Sequence, residues 1–182
     1  MLGIDGYLAG PMATHIALMN VAAPCAALAL RWRAGNRSFA IGTASALVAS
    51  FLLQLGLLWG WHVPAVFDAA VGSHVLMPAM MLSLAAVSFL YWNEIFAAAS
   101  NRAWQALASL IVTGKLFCLL GVLLTFSPRP LYAGAGLADQ QLAGLLMLLA
   151  CPATYVAVAI AIAARWFSGL EGKAGWAPGM EP

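Results

Sequence analysis

The chain has 182 residues, 64% of them hydrophobic and 8% charged, with a mean hydropathy of +0.92. A soluble domain carries about a quarter charged residues, so too little polar surface exists here to face water all round, and lipid must be the main solvent. The formal net charge of +2, with no basic stripe to follow a phosphate backbone, excludes nucleic acid as a partner.

A bilayer core about 30 Å thick needs roughly 20 apolar residues in helix. Five stretches reach that length, near 12–30, 38–60, 74–96, 104–126 and 141–165. The expected fold class is therefore all-α, a polytopic membrane helix bundle of about five transmembrane helices. One unit is expected over 1–167, followed by a flexible cytoplasmic tail over 168–182 that is rich in glycine and proline. MLGIDGYLAG, ahead of the first span, has Asp5 and no positive charge, so that span reads as a retained helix and not a cleaved signal.

Orientation follows from the cations. Arg31, Arg33 and Arg37 follow the first span, Arg102 the third, and Arg165 and Lys173 the fifth, against Arg129 alone on the other side. The excess marks the cytoplasmic side, placing the N-terminus outside and the C-terminus in the cytoplasm. Trp32, Trp59, Trp61, Trp92, Trp104 and Trp166 fall at span ends, where indole rings prefer the headgroup level.

Polar chemistry is concentrated between Trp59 and His74, in WGWHVPAVFDAAVGSH, a short connection that holds His62, Asp68 and His74. His15 lies near the outer end of the first span. All three histidines therefore share one depth, and Met12, Met19, Met77, Met80, Met81 and Met147 also fall in the outer halves of their spans. Residues three, four or seven apart share a helix face, so Met12, His15 and Met19 form one stripe and His74, Met77 and Met81 another. Imidazole and thioether together suit copper(I), whereas zinc sites call for cysteine or carboxylate. The plainer reading of such a stripe is apolar packing by methionine. Of the histidines, His74 is the stronger ligand candidate, with His62 shaping the connection or meeting a partner. Because neutral imidazole is the ligand, metal retention is expected to fall below about pH 6.

The remaining polar residues receive structural roles. Lys115, mid-span, is expected to face the bundle interior or snorkel, with Glu94 as its candidate partner. Asn20 and Gln54 are expected to hydrogen-bond between helices. Pro78 is expected to loosen the first turn of the third span at His74. Asp139 is placed to cap the last helix. Cys25, Cys118 and Cys151 are scattered singly, with no CxxC spacing, and read as packing residues.

Several segments resemble a known family. WHVPAVFDAA (61–70) with His74 after it, PLY (130–132) and DQQLAGLLM (139–147), together with HIALMNVAAP (15–24) and FLYW (89–92), are similar to the integral membrane assembly factors of caa3-type cytochrome c oxidase, the CtaG type. The resemblance implies a multi-pass protein of the bacterial inner membrane, not a catalyst, that helps to insert copper into a terminal oxidase. Its partners would be cytochrome c oxidase subunits or other copper chaperones, besides the lipid bilayer. Depth and helical spacing give the candidate ligand set as His15, His62 and His74 with Met12, Met19, Met77 and Met81, and Asp68 and Asp139 as orienting carboxylates. Family members run to about seven helices, so five make a short form, and Pro11 and Pro78 stand where the family pairs each of His15 and His74 with a second histidine. Two further readings stay open: a b-type cytochrome with one haem clamped by His15 and His74, and a metal-free assembly scaffold.

Overall fold

The computed structural model describes residues 6–34 and 40–174. Its regular elements are all helices: α1 (Ala9–Ala17) runs through a π-helical turn (Leu18–Ala22) into α2 (Ala23–Ala34), followed by α3 (Ala44–Trp61), α4 (Pro64–Val71), α5 (Leu76–Asn101), α6 (Ala103–Phe126) and α7 (Leu137–Ala174). Five segments are long and apolar enough to cross a membrane, namely Ala9–Arg33, Ala44–Trp61, Leu76–Asn101, Ala103–Phe126 and Leu137–Leu170. They match the five spans expected from hydropathy. The last helix continues through Ser168 to Ala174, so the first part of the expected tail is helical; Arg37 and residues 175–182 lie outside the described residues.

The π turn in the first span has a local cause. Pro24 has no N–H for the carbonyl of Asn20 and its ring crowds that carbonyl, so the helix widens there. Trp92 donates its indole N–H to the Met19 carbonyl within this turn, at 3.0 Å. Trp92 is consequently buried in the core and is not an interfacial anchor, whereas Trp32, Trp104 and Trp166 are exposed as expected.

Polar groups inside the bundle join helices. The Gln54 amide donates to the Tyr155 hydroxyl at 2.8 Å and the Asn20 amide to the Cys151 sulfur at 3.3 Å, which ties α3 and the π turn to α7. Helices α6 and α7 meet at glycine: a Cβ on Gly144 would lie 2.8 Å from the Gly121 carbonyl oxygen and 2.7 Å from the Thr125 nitrogen. Small residues at such a crossing bring two backbones into van der Waals contact, the main attraction between helices in lipid.

Two acidic residues act differently from expectation. Glu94 accepts from the backbone amides of Ile41 at 2.7 Å and Gly42 at 3.0 Å, fixing the approach to α3. It is not paired with Lys115, which is exposed on the outer surface of α6. Asp139 sits in the first turn of α7 but takes the amides of Leu8 at 2.7 Å and Ala9 at 3.1 Å, so it caps the start of α1 instead of its own helix. A Cβ on Gly6 would collide with this carboxylate, which explains glycine there.

Candidate metal centre

The start of α1, the end of α3, α4 and the 127–136 connection converge at one end of the bundle. Pro64 begins α4 at a position where its missing N–H is no loss, and the short helix folds Phe67 back over the end of α3. The buried Phe67 ring lies 6.2 Å from the His62 ring and 5.1 Å from the Tyr132 ring. Tyr132 donates its hydroxyl to the His62 carbonyl at 2.8 Å. Burial and the nearby Asp68 charge raise the Tyr132 phenol above its ordinary value, so it stays a donor at any physiological pH. Asp68 accepts from the Tyr7 hydroxyl at 3.0 Å and the Ala133 amide at 3.1 Å. The buried Gln140 completes the frame, donating to the Leu124 carbonyl at 3.1 Å and accepting from the Leu131 amide at 2.6 Å.

Under this frame, three of the expected ligands come together. His15 and His62 are buried with ring centroids 5.2 Å apart in an edge-on arrangement, and the His62 Nε2 lies 3.2 Å from the Met12 sulfur. Each imidazole has its Nδ1 against a helix carbonyl, Pro11 at 3.1 Å for His15 and Leu58 at 2.6 Å for His62. A carbonyl only accepts, so each neutral ring carries its proton on Nδ1 and leaves Nε2 as the lone-pair atom. The His15 Nε2 is buried and has no hydrogen-bond partner among the described residues. The two imidazoles and the Met12 thioether are thus buried side by side, with no proton between the Met12 sulfur and the His62 nitrogen. Among the described residues no three His, Cys, Asp or Glu side chains gather as a metal-holding group; the donor set here has two nitrogens and one thioether sulfur. That chemistry suits a soft monovalent cation such as copper(I).

The other expected ligands are elsewhere. Met19 is a helical turn further along, buried at the π turn. Met77 and Met81 are half-buried against the core of α5. His74 is exposed, and its place outside the site has a clear cause. The Ser73 hydroxyl accepts from the amides of Val75 and Leu76, so α5 starts at Leu76 and His74 stays in the preceding turn. Pro78 lies in the first turn of α5, where no helical hydrogen bond is lost, and loosens nothing. Asp68 and Asp139 touch neither imidazole; they hold the frame above them.

Tyr7, Phe67 and Tyr132 carry that frame without standing out by composition or spacing, together with Gln140, which the sequence places beside Asp139 on the same outer edge as His62 and His74. Three of these four stand in the segments that carry the family resemblance: Phe67 in WHVPAVFDAA, Tyr132 in PLY, Gln140 in DQQLAGLLM. The segments therefore pack on one another. The sequence model of the cytochrome c oxidase caa3 assembly factors matches residues 7–168. The chain belongs to this family. No match to a curated protein or to a solved structure was found.

In this caa3 oxidase assembly factor, burial pushes the His62 imidazole down to about 4, its bond to the Leu58 carbonyl opposing the shift only in part. The unfolded chain takes up a proton there below about pH 6.5, while the folded chain does not until about 4. Stability from this residue is complete above pH 6.5 and is lost as pH falls toward 4, by about 3 kcal/mol at the limit. Melting of the metal-free protein in detergent between pH 7 and 4 is expected to fall more steeply for the wild type than for His62→Gln. Equal slopes would contradict it. Proton competition at His62 is likewise displaced well below the pH 6 expected for an ordinary imidazole.

Proposed function

We propose that this assembly factor holds one copper(I) ion as cargo on the Met12 sulfur and the Nε2 atoms of His15 and His62, and passes it by ligand exchange to an oxidase subunit or another copper chaperone. The observation that carries the reading is the unpartnered, buried His15 Nε2 beside a His62 Nε2 that faces the Met12 sulfur at 3.2 Å. A buried nitrogen lone pair without a donor is costly, and a soft cation satisfies all three atoms at once. The role is non-catalytic: the chain supplies donors, a tautomer and a dry pocket. Arg31, Arg33, Arg102 and Arg165 lie toward the opposite end of the spans, and the positive-inside rule supports a site on the outer face, with the N-terminus outside and the C-terminus in the cytoplasm, in what we take to be a bacterial inner membrane. Asp68 and Asp139 orient the site indirectly, by fixing α1 and the 127–136 connection.

Copper(I) titration of reduced, detergent-purified protein against a chromogenic chelator tests this. One ion per chain is expected, with affinity lowered at least about 100-fold by His15→Ala or by His62→Ala, beyond the loss typical of an outer-sphere change. His74→Ala should bind as the wild type does. The bis-histidine haem reading needs His15 and His74 as a pair, and the exposure of the one and burial of the other argue against it. A metal-free scaffold is the remaining rival: no copper on the unmutated chain, together with undiminished oxidase assembly by His15→Ala, would establish it.

A further inference from the structure

Lys115 stands at the middle of α6 (Ala103–Phe126), with roughly 18 Å of helix on either side. It is exposed on the outer surface of the bundle and makes no hydrogen bond or ion pair among the described residues. A lysine stem covers only part of the distance to either interface, so the ammonium cannot leave the hydrocarbon by snorkelling alone. Ionisable residues in spans face a bundle interior or a partner, and this one faces away from its own bundle.

The surface around it has the pattern of a helix-packing seam. Gln105, Ala108, Val112, Lys115 and Leu119 follow one another at steps of three and four, the spacing that keeps one stripe against a neighbouring helix. Ala108 and Val112 line a groove of about 290 Å³ between α3 and α6, floored by Phe51. Gln105 lines the same groove, and its buried amide oxygen has no hydrogen-bond partner among the described residues. Lipid tails supply no anion for Lys115.

We propose that this seam docks a membrane-spanning helix of a partner protein that carries a carboxylate at mid-membrane depth. Charge complementarity selects the occupant. A second copy of this chain does not serve, because Asp68, Glu94 and Asp139, its described carboxylates, are toward the ends of the spans and already engaged by hydroxyl or amide donors. The seam stands apart from the copper site, and a chain that binds no copper still carries it.

The test is photo-crosslinking in native membranes, with a photo-reactive amino acid placed at Val112 or at Leu119 of the full chain and the trapped peptide sequenced. The expected peptide comes from another protein's membrane span and contains an aspartate or glutamate. Lys115→Leu should lower the crosslink yield at least tenfold, Lys115→Arg should retain it, and melting of Lys115→Leu in detergent should match or exceed the wild type. Lipid adducts alone, a peptide from a second copy of this chain, a partner span without a carboxylate, an unchanged yield in Lys115→Leu, or unfolding of that variant would each overturn the proposal.

Discussion

Gly144→Leu is expected to separate α6 from α7 and to lower the melting temperature in detergent by roughly 10 °C, corresponding to about 3 kcal/mol or more. The glycine sits where the two backbones touch: a Cβ there would meet the Gly121 carbonyl oxygen at 2.8 Å and the Thr125 nitrogen at 2.7 Å. Neither neighbour is a flexible side-chain end, so the helices themselves must move. In lipid there is no hydrophobic gain to offset the lost contact, since a separated helix face is solvated by acyl chains as well as by leucine. The loss extends to polar groups, because α7 also supplies Tyr155 to Gln54 and Cys151 to Asn20. Gly136→Ala is the control: a Cβ at that position meets nothing within 4 Å. Equal melting of Gly144→Leu and Gly136→Ala would contradict the close approach.

Asp139→Ala is expected to cost about 2 to 3 kcal/mol and also to weaken the proposed copper site, although Asp139 touches none of its proposed ligands. Its carboxylate receives two amides at the start of α1, at 2.7 and 3.1 Å, and hydrogen bonds to a charged acceptor are worth roughly twice neutral ones. The negative charge also faces the positive end of that helix. Removing it leaves two amide donors unsatisfied and frees the first turns of α1, which carry Met12 and His15. Copper(I) affinity should fall roughly 10- to 100-fold, as it does when outer-sphere support is removed. Asp139→Asn, which keeps one acceptor oxygen, should recover part of both losses. A variant that melts early yet binds copper normally would show that α1 is positioned by other contacts.

The five spans were legible in the sequence because length and apolarity alone decide what can cross a bilayer, and Gln54 and Asn20 were legible because a polar amide in hydrocarbon must find a partner on a neighbouring helix. Met12 and His15 were legible as one face of α1 by helical spacing. What sequence spacing could not decide was which end of a connection points inward. His62 and His74 flank the same stretch, yet the Leu58 carbonyl and the overlying Phe67 turn His62 into the pocket, while Ser73 ends the turn in a way that leaves His74 outside. The carboxylates were misplaced for a related reason. Asp139 and Glu94 bind backbone amides far away in the chain, and backbone amides leave no mark in a sequence. With Glu94 so engaged, Lys115 was left facing outward, which its position in the chain gave no means to foresee.

Met12, His15 and His62 are proposed to form one copper-holding set. X-ray absorption at the copper K edge on reduced, copper-loaded protein tests it most directly, because sulfur and nitrogen scatter distinguishably. The spectrum is expected to show nitrogen and sulfur neighbours, to lose the sulfur in Met12→Leu, and to stay unchanged in His74→Ala. No copper retained by the wild-type protein, or a spectrum without sulfur that is indifferent to Met12→Leu, would contradict the account.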